Sequence, residues 1–260
     1  MRARAVQLAR ALRYAPTDAL LMRDAISARR FWTLRHFPDA RGTLTLRPRA
    51  LGGAELAVRD GTSDAQVTWY VLSQKAHLPP AELGPIRSAL DLGANIGVAA
   101  AHLAVTFPLA RVTAVEPDPG NAEACRANTE HWRYRCEVVE GAAWTSAGLL
   151  RLVAGSAEDA VRVEPLADAG AGGVTAHPIA ELVQRAAVDG TLDYLKMNIE
   201  GAEAELLATA NEWAGAVRAL RVELHEPYGL EQCRRDLEHA GFRVRAGATP
   251  GDPWVTALRI

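Results

Sequence analysis

The sequence predicts an α/β fold: a doubly wound, mostly parallel sheet finished by an antiparallel C-terminal hairpin, preceded by a helical and β-hairpin cap. Three observations predict it. Apolar strand-like runs alternate with helical segments from residue 86 onward, the signature of parallel βαβ units. The first of these strands runs into Asp91-Leu92-Gly93-Ala94-Asn95-Ile96-Gly97, a glycine-containing strand-to-helix turn. The last two strands are joined by Thr249-Pro250-Gly251-Asp252-Pro253, too short for a helical crossover, so they must pair antiparallel.

In chain order, residues 3–34 carry helical spacing (Val6, Leu8, Ala9, Leu12, then Leu20, Leu21, Ala25), with Pro16 expected to break the stretch into two helices. Strand-like segments at 42–49 and 55–59 flank Gly52-Gly53 and read as a hairpin. Asp60-Gly61-Thr62-Ser63-Asp64 supplies a turn and a helix cap ahead of a helix to about Lys75. Prolines 79, 80 and 85 punctuate the entry to the main domain, so residues 1–78 are assigned to the cap and 79–260 to the main domain. There the pattern reads strand 86–91, helix 96–107, strand 111–116, helix 119–131 and strand 137–141. A Gly/Ala-rich loop at 167–173 lies between short strands at 149–153 and 174–177, and a helix follows near 179–187. The core resumes with strand 192–199, helix 202–211, strand 219–225 and helix 230–240, before the hairpin 242–246 and 254–260.

At 260 residues and 49% hydrophobic content, the chain is long enough for one α/β domain with an N-terminal extension. A net charge of −2 gives no general case for a nucleic-acid partner. The charge is uneven, however. Residues 1–50 hold eleven Arg, no Lys and three acids, a net +8 that leaves −10 for the rest. Helical spacing favours packing of this segment on protein, and Arg10 and Arg13 interrupt any signal-peptide-like apolar run. No stretch is apolar enough to span a membrane, and no membrane partner is expected. Cys125, Cys136 and Cys233 are odd in number and lack metal-ligand spacing, so neither a disulfide framework nor a metal site is expected and a reducing cytoplasm fits.

The turn at 91–97 and Glu116, 23 positions after Gly93 at the end of the next strand, point to a nucleotide-like cofactor: the turn admits close approach, the following helix directs free N–H groups at a ligand, and the acid holds ribose hydroxyls. The dinucleotide fingerprint is incomplete, with Asn95 and Val98 where glycines belong. Asp91 would repel a pyrophosphate but attract a ligand bearing an ammonium and a sulfonium, which S-adenosyl-L-methionine does. In strand 192–199, alternation sets Tyr194, Lys196 and Asn198 on one face. A lysine there must be paired, and Glu223 of the next strand is the expected partner, making both residues site-adjacent. Asn198, Glu200 and His225 fall at or just past strand C-termini, where open α/β sheets bind ligands, and His225 is the candidate general base. The other histidines lack metal-ligand spacing.

Strands in this layout resemble class I S-adenosylmethionine-dependent methyltransferases. More specifically, DLGANIG (91–97), AVEPDPGN (114–121), LKMNIEGAEAELL (195–207) and VELHEPYG (222–229), preceded by RDGTSD (59–64), resemble the FkbM family of these enzymes over roughly residues 59–229. The resemblance implies O-methylation of a hydroxyl on a small molecule such as a natural product or sugar, with S-adenosyl-L-methionine as cofactor. By position it implies that Asp91, Gly93, Asn95 and Gly97 surround the methionine moiety and Glu116 the ribose, with Asp118 and Asn121 at its periphery. Ala94, Pro117, Ala142 and Asn198 complete the expected cofactor shell, and His225, Asn198 and Glu200 are the catalytic candidates. The family usually has Asp where this chain has Asn198, which argues against metal ligation there. An N-methyl acceptor or another alkyl transfer, a non-catalytic cofactor-binding subunit and a homodimeric assembly all remain compatible with the sequence.

Overall fold

The computed structural model describes residues 2–39, 42–154, 161–166, 173–247, 249 and 251–260. The chain forms two compact units, Met1–Lys75 and Ala76–Ile260. The predicted loop at 167–173 lies, apart from Gly173, outside the described residues, as does Pro250 of the last turn.

In the N-terminal unit, α1 (Arg2–Leu21) and α2 (Ala25–His36) precede a hairpin of β1 (Thr43–Leu46) and β2 (Leu56–Arg59), and α3 (Asp64–Gln74) closes it. The strands pair antiparallel from Thr43↔Arg59 to Leu46↔Leu56. Pro16 does not break the first helix as expected; it lies inside α1. The break comes at 22–24, where Asp24 leaves the helical region (φ −137°) and caps α2 by accepting from Ser27 N at 2.8 Å. A proline removes one helical hydrogen bond, a cost the helix survives when packing holds it, whereas a capping Asp offers the backbone an alternative partner. Asp18, fully buried on α1, supplies such packing: it pairs with Arg35 of α2, and His36 Nε2 approaches it to 3.4 Å.

The α/β unit holds β3 (Ser88–Leu92), α4 (Val98–Thr106), β4 (Arg111–Glu116), α5 (Pro119–Thr129) and β5 (Cys136–Glu140), as the alternation predicted. An insertion follows: β6 (Ala142–Trp144), β7 (Gly148–Ala154), β8 (Val161–Pro165), β9 (Val174–Pro178) and α6 (Ile179–Ala186). The core resumes with β10 (Leu192–Met197), α7 (Glu203–Ala208), α8 (Ala210–Trp213), β11 (Val217–Glu223), α9 (Leu230–His239), β12 (Phe242–Arg245) and β13 (Trp254–Arg259). The main sheet has the order β12-β13-β11-β10-β3-β4-β5. β13 runs antiparallel to both β11 and β12, and the remaining neighbours are parallel. The insertion strands form a second sheet, β6-β9-β7-β8.

β3 is buried at every position and β10 likewise, because helices cover both faces of a parallel sheet. α6 shows how a helix is held there: Ile179, Leu182, Val183 and Ala186 recur at one-face spacing and all four are buried. Chain progression moves outward from β3 through β4 to β5, then returns to β10 on the opposite side of β3. That reversal makes the C-terminal ends of β3 and β10 the topological switch point, the place where open α/β sheets bind ligands.

Candidate active site

The turn leaving β3 is built on three left-handed residues, Gly93 (φ +73°), Asn95 (φ +50°) and Gly97 (φ +84°). Two of them also need to lack a side chain. A Cβ on Gly93 would sit 1.7 Å from the carbonyl oxygen of Asn198, and one on Gly97 would sit 2.8 Å from Cys125 Sγ. Glycine at 93 thus lets the turns after β3 and β10 touch, and glycine at 97 lets α4 start against α5.

The N–H groups of this turn do not point freely at a ligand. Gly93 N and Ala94 N both donate to Val115 O at 3.0 Å, Asn95 N donates to Glu116 Oε2 at 2.7 Å, Ile96 N to Asn95 Oδ1 at 2.7 Å, and Gly97 N to Ala94 O at 2.9 Å. With those donors committed inside the protein, the turn offers no backbone cradle for a pyrophosphate.

Glu116 ends β4 and is 4% exposed. Besides Asn95 N, it accepts from Asp118 N at 3.1 Å and from Asn121 Nδ2 at 3.5 Å, while Asp118 caps α5 through Asn121 N at 2.8 Å. Burial raises the pKa of Glu116 above the usual glutamate value, and the two backbone N–H bonds oppose that shift. Asp118 and Asn121 therefore hold the carboxylate in place. Ala142 lies just beyond β5, next to Gly141, whose N–H bonds Glu116 O at 2.9 Å.

Lys196 is paired, as a buried lysine must be, but with Asp91 and not with Glu223. Its Nζ lies 2.9 Å from Asp91 Oδ1 and donates to the carbonyls of Leu92 (3.2 Å) and Gly93 (2.7 Å). Strand order explains the correction. β10 has β3 on one side and β11 on the other, and Lys196 stands level with Asp91 and Arg221. Glu223 follows one residue beyond the last pair, Met197↔Val222, which brings it beside Asn198. Asn198 Nδ2 donates to Glu223 Oε2 at 2.7 Å. A carboxylate only accepts, so this contact fixes the amide's orientation and turns Oδ1 away from Glu223. Oδ1 is buried and carries no hydrogen bond among the described residues.

At the tip of β11, His225 meets the start of α7. Its Nδ1 lies 2.8 Å from Glu203 Oε1 and its Nε2 3.5 Å from Glu200 Oε2. Glu203 is fully buried and also accepts from Ile199 N at 3.2 Å. Burial alone would depress the histidine, but the Glu203 hydrogen bond and the charges of Glu203, Glu200 and Glu223 outweigh it and hold His225 above its usual value. Glu203 thus orients His225: Nδ1 carries its proton toward the carboxylate, leaving Nε2 as the basic nitrogen.

The sites foreseen at Asp91–Gly97, Glu116–Asn121, Asn198–Glu200 and His225 therefore gather at the C-terminal edge of β3, β4, β10 and β11. Glu203 was missed as a site residue. Among the other histidines, His77 and His102 form a buried pair, Nε2 to Nδ1 at 2.9 Å. The three cysteines are free and buried, and no cluster of metal-ligating side chains occurs among the described residues.

Residues 91–244, more than half of the chain, match the family profile described as the methyltransferase FkbM domain. The chain belongs to the FkbM methyltransferase family. This FkbM methyltransferase takes its methyl group from S-adenosyl-L-methionine. No curated protein is detectably similar in sequence. Among solved structures it is similar to an FkbM methyltransferase from Methylobacillus flagellatus KT, with 16% identity and a TM-score of 0.46, covering 95% of this chain and 59% of that one. An O-methyltransferase family protein from Burkholderia thailandensis gives 13% identity and 0.49, covering 76% and 58%. A precorrin-6y C5,15-methyltransferase from Geobacter metallireducens GS-15 gives 13% and 0.43, covering 73% and 88%. The chain thus spans about three fifths of the length of the first two. Among the described residues no helix is long and apolar enough to cross a membrane.

Proposed function

We propose that this methyltransferase methylates a hydroxyl oxygen of a small molecule, with His225 accepting the hydroxyl proton. The observation that carries the reading is the 2.8 Å contact between His225 Nδ1 and the buried Glu203 carboxylate at the C-terminal edge of the sheet. An oriented imidazole with its Nε2 turned outward from that contact is the arrangement a general base requires.

The residues present suit S-adenosyl-L-methionine. Glu116 offers a hydrogen-bonded carboxylate for ribose hydroxyls, and Asn198 Oδ1 is a buried acceptor with room in its bonding for an ammonium or a hydroxyl. The committed N–H groups of the 93–97 turn disfavour phosphate-bearing cofactors. Asp91 contributes from beneath the turn, where Lys196 meets its charge, and shapes the turn more than it presents charge to a ligand.

When bound, the cofactor supplies an electrophilic methyl group on a sulfonium. The chain's part is alignment and proton removal. Holding the acceptor oxygen in line contributes roughly 7–11 kcal/mol of the barrier reduction. His225 Nε2 taking the hydroxyl proton as the O–CH₃ bond forms adds roughly 10²–10⁴-fold. No residue in this scheme ligates a metal, and neither nucleic acid nor membrane is needed as a partner.

The test is turnover of His225→Ala at matched cofactor saturation. The proposal expects a loss of at least about 10²-fold with cofactor affinity preserved. Equal turnover would remove His225 from the chemistry.

A further inference from the structure

The insertion sheet reaches the site through Arg162. This residue sits on β8, the edge strand of the second sheet, opposite Val153 of β7. Its Nε donates to the carbonyl oxygen of Glu200 at 3.0 Å and its Nη2 to that of Glu226 at 3.3 Å. Those carbonyls belong to two different loops, one leaving β10 and the other leaving β11. The same loops carry Glu200 and His225, whose side chains meet at 3.5 Å.

Local sequence makes room for the guanidinium. Glu200 adopts a left-handed conformation (φ +55°) that ordinary residues avoid unless their surroundings hold them there. Gly201 follows at φ +109°, and a Cβ on it would lie 2.9 Å from Arg162 Nη2 and 3.2 Å from Nε. A planar fork with diverging N–H groups can join two carbonyls at once, whereas a lysine ammonium on its flexible stem lacks that fixed geometry.

We propose that Arg162 is a positioning residue of the transfer site, a clamp by which the insertion holds the β10 and β11 loops together and sets Glu200 against His225. The consequence for methyl transfer rests on the reading of His225 as the base; the clamp itself does not. His225 is faced by Glu203 from α7, by Glu200 from the loop after β10 and by Glu223 from β11. Loss of the clamp frees Glu200 and leaves the other two carboxylates in place.

The experiment compares wild type with Arg162→Lys, which keeps the positive charge but not the two-carbonyl geometry, and with Arg162→Met. Arg162 is exposed on an edge strand, so both variants keep the core intact. The His225 titration is followed by NMR on histidine-labelled protein, cofactor affinity by calorimetry, and kcat and KM by methyl transfer. The clamp predicts that the His225 midpoint moves down from its wild-type value in both variants. It also predicts a kcat drop of about 10²-fold, the scale of a misplacement near 1 Å, with cofactor affinity unchanged within about twofold. An unchanged His225 midpoint in both variants overturns the clamp. If wild type transfers methyl to no hydroxyl acceptor, the functional reading fails, and the titration alone still decides whether Arg162 positions Glu200.

Discussion

Replacing Lys196 with methionine tests the electrostatics beneath the cofactor turn. Lys196 is 4% exposed and Asp91 fully buried, 2.9 Å from the ammonium, and Asp91 Oδ2 has no hydrogen bond among the described residues. Methionine keeps the stem's apolar packing and strands the carboxylate. Removing one partner of a buried pair costs about 3–5 kcal/mol. Adding about 1 kcal/mol for each of the hydrogen bonds lost by the Leu92 and Gly93 carbonyls gives a destabilisation of about 5–7 kcal/mol. Urea unfolding followed by ellipticity measures it. A second substitution, Asp91→Asn, should recover the larger part of the loss, because it removes the stranded charge. A penalty under about 1 kcal/mol, or rescue by Glu223→Gln in place of Asp91→Asn, would refute the pairing.

Two further outcomes follow from the site. Glu116→Gln keeps an acceptor for one of the two backbone N–H groups but loses the charge, so S-adenosyl-L-methionine should bind about 1–3 kcal/mol more weakly by calorimetry, roughly 5- to 150-fold in Kd; unchanged affinity would move the ribose elsewhere. The raised His225 sets opposite pH trends for activity and stability. A base works when neutral, so kcat should rise with pH through a midpoint above about 6.5 and then level off. The stabilisation from the charged histidine among its carboxylates is fully present below about 6.5 and lost as pH rises through the folded-state midpoint. A kcat profile flat from pH 6 to 9 would contradict this assignment.

The sequence made the scaffold legible because strand and helix periods differ, so the alternation from β3 to β11 and the short final turn could be read directly. The strand C-termini then located Glu116, Asn198, Glu200 and His225. Neighbours were harder. Alternation sets Lys196 on a face but does not say which strand lies beside it, and β3, about a hundred residues earlier, proved to be that neighbour on the relevant side. Glu203 did carry a signal: with Leu206, Leu207 and Ala210 it follows the spacing of one helix face, and all four are buried, so an acid on that face needed a partner. Pro16 was overruled by packing around Asp18. β6 is three residues long and β8 reads Val-Arg-Val-Glu-Pro, too short and too polar to stand out, so the clamp at Arg162 had no sequence signal.

Hydroxyl methylation with His225 as base is decided by incubating the protein with methyl-labelled S-adenosyl-L-methionine and a small-molecule extract, with EDTA present, and following the label by mass spectrometry. A labelled methyl ether should form in EDTA, with wild type but not with His225→Ala. Label on nitrogen, formation only after a divalent metal is restored, or equal product from the His225 variant would contradict it.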